Sequence, residues 1–255
     1  MPRRYVFLDS DIIIYKACFA SEQEIYWGDG DWTLSLNEGQ ARTAAYEMID
    51  QLRLDLSIKK NQIQMCFSNG SSFRKDFFPE YKANRKKLRK PLGLNTLKRW
   101  LMGEFKSIVM DNLEADDIIG ISMTRPNQTI KIAASSDKDL RTIPGTHWNF
   151  DKQELSEISK EEADYNFYLQ VLTGDSADNY QGCPGVGIKT AEKILASSQN
   201  YPYSGPKDYW ETVTKAYRDR DCFGELTMAR LARILRWSDY NWKTGIPVPW
   251  LPEKK

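Results

Sequence analysis

The sequence predicts an α/β fold: a mostly parallel sheet with helices on both faces, followed by a smaller helical module. Three observations carry that expectation. Short strand-like runs alternate with helical patterns as far as about residue 158, the alternation that parallel sheets require. Acidic residues gather just after those runs, where ligands bind in such sheets. From about residue 160 onward the pattern is helical.

Residues 5–8 (YVFL) are a continuous apolar run and read as a buried strand. The stretch EIYWGDGDWTLSL reads as a hairpin with a Gly-Asp turn, which makes Asp29 and Asp31 turn residues. Over 41–56, Ala41, Ala44, Ala45, Met48, Ile49 and Leu52 recur at helical spacing. QIQMCF (62–67), SIVM (107–110) and IKIAA (130–134) suit further strands, with a helix over 115–123. Beyond them EEADYNFYLQVLTG, KTAEKILAS, DYWETVTKAYRD and GELTMARLARILRW are helical candidates. NWKTGIPVPWLPEKK reads as an extended tail lying on the surface. The expected organisation is a sheet domain over 1–158 and a helical module over 159–255.

Composition narrows the function classes. At 255 residues the chain can bury a sizeable core. No apolar run approaches the ~20 residues of a membrane span. MPRRYVFLDS enters a strand with no signal-peptide pattern. Cys18, Cys66, Cys183 and Cys222 form no CxxC pair. Both features predict a cytoplasmic location. His147 is the one histidine. It cannot build a multi-His zinc site, and a structural or surface role is expected for it.

Four acidic groups remain: Asp9 with Asp11; Glu114, Asp116 and Asp117; Asp137 with Asp139; and Asp175 with Asp178. Carboxylates without a matching His or Cys set suit hard cations such as Mg²⁺ or Mn²⁺. Asp9 and Asp137 each follow a strand and can meet at one sheet edge. Helix capping is the competing explanation for any single group, and a weak one for all four together.

The net charge of +1 hides segregation: between Arg74 and Lys106 eleven Lys or Arg stand against three acids, leaving +8. Such a segment suits a polyanion, or is a solvated helix face. GCPGVGIKTAEKIL (182–195) is neither a P-loop, because Ile188 separates Gly187 from Lys189, nor a dinucleotide fingerprint, because Thr190 replaces the third glycine. Gly185 and Gly187 before a helix suit a phosphate-backbone clamp of the helix–hairpin–helix kind over about 180–196. A plain packing turn is the alternative.

The ordered set LDSD, FRKDFFPEYKANRKK, LEADDIIG, SSDKDL and LTGDSADNYQGCPGVGIKTAEKIL resembles the 5′ nuclease family. That family comprises phage 5′–3′ exonucleases, flap endonucleases and the 5′-nuclease domain of bacterial DNA polymerase I. The resemblance covers roughly residues 5–200, and the compact length looks phage-type. It implies a PIN-like sheet domain, a helical arch over about 72–106 and a helix–hairpin–helix that holds duplex DNA. It implies that Asp9, Glu114, Asp116, Asp117, Asp137, Asp139, Asp175 and Asp178 are metal-site carboxylates, while Asp11 falls at a variable place. By the same resemblance Arg74, Tyr81, Lys82 and Arg85 match the arch motif, with Lys82 and Arg85 at the scissile phosphate. Gly185, Gly187, Lys189 and Thr190 would hold DNA. Phe77, Phe78 and Tyr81 could stack on bases, with arch packing as the alternative for the two phenylalanines. Where many relatives carry an Asp before the FR motif, this chain has Ser68 and Asn69.

The implied activity is two-metal hydrolysis of DNA phosphodiesters by a structure-specific exonuclease or flap endonuclease, in replication, primer removal or recombination. Its ions are Mg²⁺, with Mn²⁺ substituting, and K⁺ at the glycine hairpin. The implied partners are DNA with 5′ ends, flaps or nicks, and RNA–DNA hybrids; a monomer is expected, with no membrane. A PIN-type ribonuclease would lack the arch and the glycine clamp. A non-catalytic, structure-specific DNA-binding protein of the same fold is the other reading, supported only by Ser68.

Overall fold

The computed structural model describes residues 3–197 and 206–252, with side chains from 209 onward in the second stretch. The end of the expected tail, 253–255, lies outside the described residues.

The apolar run at 5–8 forms the middle of strand β1 (Arg4–Asp9). β1 lies in parallel between β4 (Ile63–Cys66) and β6 (Ile130–Ala134). β5 (Lys106–Ile108) extends the sheet beyond β4. On the other side β7 (Gly145–Asn149) adds in parallel and β8 (Glu154–Ile158) antiparallel, giving the order β5-β4-β1-β6-β7-β8. β2 (Glu22–Gly28) and β3 (Asp31–Leu36) pair as the expected hairpin, with Asp29 left-handed in its turn.

Helix α1 (Ser10–Ala20), α2 (Glu38–Asp55) and α3 (Leu94–Glu104) cover one face of the sheet. Ile13, Ala45, Ile49 and Leu101 bury against Val6, Leu8, Ile63 and Met65 there. Asn37 begins α2 by accepting the Gln40 N–H at 3.1 Å. Helix α4 (Ala115–Thr124) covers the other face, where Ile118 and Ile119 meet Cys66 and Ala133.

A second core belongs to α5 (Lys160–Thr173), α6 (Ile188–Ala196), α7 (Pro206–Arg218) and α8 (Glu225–Ala232). Phe167, Val171, Leu195, Val213 and Tyr217 are buried in it.

Some elements differ from the sequence reading. α1 was not foreseen because SDIIIYKACFA lacks an amphipathic stripe; Ile13, Ile14, Ala17 and Cys18 are all buried. β7 and β8 escaped because short strands of mixed polarity, β8 at the sheet edge, carry no clean alternation. α8 stops at Ala232, although the helical pattern runs to Trp237. Buried polar groups hold 231–235 in another path, as described below. The tail is not simply extended: Tyr240–Asn241 (β9) pairs with Ile246–Pro247 (β10), and Trp250 packs on Phe167 and Trp210. The segment expected as an arch contains 3-10 turns at Phe73–Asp76 and Ala83–Lys87 before α3. Phe77 and Phe78 pack against the helical core rather than standing free.

Candidate active site at the carboxyl edge of the sheet

Strand order turns outward on either side of β1, so the crevice between the ends of β1 and β6 is open to a ligand. Asp9 closes β1, and Ser135 follows β6. The Ser135 hydroxyl donates to Asp9 Oδ2 at 2.9 Å and accepts the Asp137 N–H at 3.0 Å. Asp137 Oδ1 in turn accepts the Asp139 N–H at 2.8 Å, capping the short turn Lys138–Thr142. Asp116, in the first turn of α4, comes within electrostatic reach of Asp9, Asp137 and Glu114. Asp139 shares a hydrogen bond with Asp175, which lies beyond α5.

This crowding has a cost. Burial, then the charge of Asp11, pushes the Asp9 carboxyl up to about 7. Burial and Asp137 push Asp139 to about 7. Asp116 is raised well above the ordinary carboxylate range by burial and by Asp9. Asp11 is raised by burial, while Ser68 hydrogen bonds oppose the rise. Like charges in a shared, partly dry pocket resist ionisation until a cation relieves them.

Lys82 and Arg85 face this edge from the basic segment. Lys82 Nζ donates to Glu114 Oε1 and lies 3.4 Å from Asp178. Arg85 Nη2 donates to Asp178 Oδ1 at 2.5 Å. Lys82 is left-handed, with φ 55, and its N–H donates to the Asp178 carbonyl at 2.9 Å. A lysine rarely adopts that conformation, so the surrounding contacts impose it.

Four of the expected site residues are engaged by protein partners. Arg74 is 3% exposed; its guanidinium donates to both oxygens of Asp117, at 2.8 and 2.9 Å, and to the carbonyls of Leu231 and Arg233. Asp117 is fully buried, and its Oδ1 also accepts the Leu235 N–H at 3.1 Å. Neither is available to DNA or a cation. Tyr81 is buried, and its hydroxyl bridges Glu114 and Asp178 at 3.0 and 2.9 Å, so it offers no stacking face. Glu114 receives Ser72, Arg74, Tyr81 and Lys82. Burial would raise it, but Arg74 and Lys82 hold it down to about 2. The structure makes it the anchor of the basic residues. In the sequence these residues look alike; only burial separates them.

Residues 4–167 match the family described as 5′-3′ exonuclease, N-terminal resolvase-like domain. The chain belongs to this 5′–3′ exonuclease family. It is 27% identical to an exodeoxyribonuclease of Enterobacteria phage T3, across 96% of this chain and 92% of that one. It is 28% identical to an exonuclease of Escherichia phage T7, across 92% and 89% of the two chains. The fold is shared with phage T5 5′-exonuclease solved with bound zinc: TM-score 0.63, 16% identity, 90% of this chain and 89% of that one.

In this 5′–3′ exonuclease chain the glycine loop joins α5 to α6. Gly185 is left-handed and exposed, with open space around it, and Gly187 caps α6 without needing a glycine conformation. Lys189 and Thr190 are exposed at the start of α6. The glycines that sequence reasoning missed are Gly174 and Gly182. A Cβ on Gly174 would stand 2.4 Å from the Gly182 nitrogen, so only two glycines let the loop's ends touch. His147 Nε2 meets the Ile143 carbonyl at 2.8 Å.

Ser135 was also missed, and Asp11, named among the acids, was left out of the expected metal-site set. Ser135 is buried and sits one residue past the β6 run, where its sequence SSDKDL gives no sign of which serine turns inward. Asp11 lies close enough to Asp9 to raise it.

Among the described residues, no three acidic, His or Cys side chains stand arranged to hold an ion by themselves. The donor set still fits a hard divalent cation: every donor is a carboxylate oxygen, and the acids repel one another. Mg²⁺ keeps several waters and needs few direct carboxylates. No helix among the described residues is long and apolar enough to cross a membrane.

Proposed function

We propose that the chain is a divalent-cation-dependent nuclease that hydrolyses DNA phosphodiesters at 5′ ends, flaps or nicks, with RNA–DNA hybrids as further substrates. The observation that carries this is the crowding of Asp9, Asp116 and Asp137 within electrostatic reach of one another at one sheet edge, faced by Lys82 and Arg85. The names of the phage T3 and T7 relatives support the same chemistry, as does that of a flap endonuclease of Shewanella baltica, 29% identical across 51% of this chain and 55% of that one.

Asp9, Asp116 and Asp137 would hold one cation partly through its own waters, with Asp139 and Asp175 beside a second position. Mg²⁺ is the proposed ion, with Mn²⁺ able to replace it. Bound there, such ions supply an activated water and stabilise charge on the phosphate. Ser135 ties the Asp9 carboxylate to the backbone of Asp137. Lys82 and Arg85 neutralise the entering phosphate, aimed by Glu114 and Asp178. Gly185, Lys189 and Thr190, with the N-terminus of α6, would hold the duplex backbone without reading its sequence, and K⁺ is the ion proposed for that hairpin.

The test compares 5′-labelled flap, nicked and blunt duplex DNA with Mg²⁺, for the unaltered chain and Asp137→Asn. Cation-dependent cleavage that disappears in the variant is the expected result. Tight flap binding with no cleavage in Mg²⁺ or Mn²⁺ would instead make the chain a binding protein of this fold.

A further inference from the structure

We infer that Asp11 supplies the carboxylate on the β4 side of the candidate cation site, in the place left neutral by Ser68 and Asn69. The inference rests on the divalent-cation reading above.

The register of the sheet puts these residues together. β1 and β4 run in parallel with Asp9 beside Cys66. Two residues further along each chain, Asp11 and Ser68 meet again: the Ser68 N–H donates to Asp11 Oδ2 at 3.2 Å. The Asp11 carboxylate, carried by the first turn of α1, thereby reaches the end of β4.

The neutral residues there are otherwise engaged. Ser68 Oγ accepts the Ala115 N–H at 3.0 Å, tying the start of α4 to the end of β4. The Ser68 carbonyl accepts Lys98 Nζ at 2.5 Å. Asn69 is exposed and donates to Asp111 at 3.2 Å. Asp11, by contrast, lies within electrostatic reach of Lys98, Asp9 and Glu114, and a Ser68 hydrogen bond orients it. An acid serving only the helix terminus would gain from a site clear of other anions. Asp11 instead joins the pocket in which anions are already crowded.

The experiment measures Mn²⁺ binding by calorimetry on the full chain without DNA, beside the cation-free melting temperature. Asp11→Asn retains an acceptor for the Ser68 N–H. It should weaken Mn²⁺ binding roughly tenfold or more, with no fall in the cation-free melting temperature. Equal Mn²⁺ affinity in the unaltered chain and Asp11→Asn overturns the assignment. Should Asp11→Asn also lower the melting temperature, Asp11→Asn/Ser68→Asp decides. Recovered affinity then supports a carboxylate role at that strand end, and unrecovered affinity leaves Asp11 a structural residue and overturns it. If the unaltered chain binds no Mn²⁺ at all, the cation reading itself has failed, an outcome distinct from the other two.

Discussion

The Ser135 hydroxyl donates to the Asp9 carboxylate at 2.9 Å. The same oxygen accepts the Asp137 N–H, so one buried side chain joins the carboxyl ends of β1 and β6. Ser135→Ala removes the donor and leaves a buried acid short of a partner. The expected loss is about 1–3 kcal/mol of unfolding stability, read by urea denaturation. Because that hydrogen bond favours ionised Asp9, the variant should titrate Asp9 still higher, as ¹³C carboxyl shifts would report. Unchanged stability together with unchanged titration would show the bond to be unimportant.

The pocket acids set a pH dependence. Asp9 and Asp139, each near 7, bind protons more tightly folded than unfolded. Their contribution favours the fold at about pH 4 and is lost as pH rises through about 7. Glu114, held down to about 2, acts in a separate window, below about pH 4.5. Chelator-treated protein should therefore melt at lower temperature at pH 8 than at pH 6. Divalent cations should reverse the difference, and Asp9→Asn should flatten it. A melting temperature that rises across this range in chelator contradicts the charge crowding.

Arg74 and Asp117 form a buried pair that also fixes the backbone at Leu231, Arg233 and Leu235. Removing either partner strands a charge, at about 3–5 kcal/mol. Arg74→Met/Asp117→Leu should lose less than the sum of the two single variants, measured by chemical denaturation. Additive losses would mean the two residues act independently.

Lys82 makes the opposite prediction. It lies partly open at the pocket, held by Glu114 and Asp178. Lys82→Met should lower single-turnover cleavage by roughly a hundredfold or more, while duplex affinity changes little. Measuring both on one flap substrate separates the cases, and an equal fall in the two would remove Lys82 from the chemistry.

Much of this was legible in the chain itself. The apolar strands at 5–8 and 130–134, the Gly-Asp hairpin and the acids after the strands were readable because period and local turn chemistry depend on neighbouring residues. Asp9 and Asp137 could be placed together because parallel strands deliver their carboxyl ends to one edge.

The roles of Arg74, Tyr81, Glu114 and Asp117 were not legible. Their motif spacing is the same whether a side chain faces the pocket or the interior. The tertiary structure decided it: α4 packs against 233–235 so closely that a Cβ on Gly120 would stand 2.4 Å from the Leu235 carbonyl oxygen. That approach closes Arg74 and Asp117 away from water and stops α8 short of its helical pattern. Likewise Asp11 belongs to the pocket only because the β1–β4 register brings it beside Ser68, 57 residues away. The sequence by itself determined the strands, the acids and the basic segment, which are local. Which acids remain open to a cation depends on burial and long-range pairing, and those exist only once the sheet and the helical module have closed on each other.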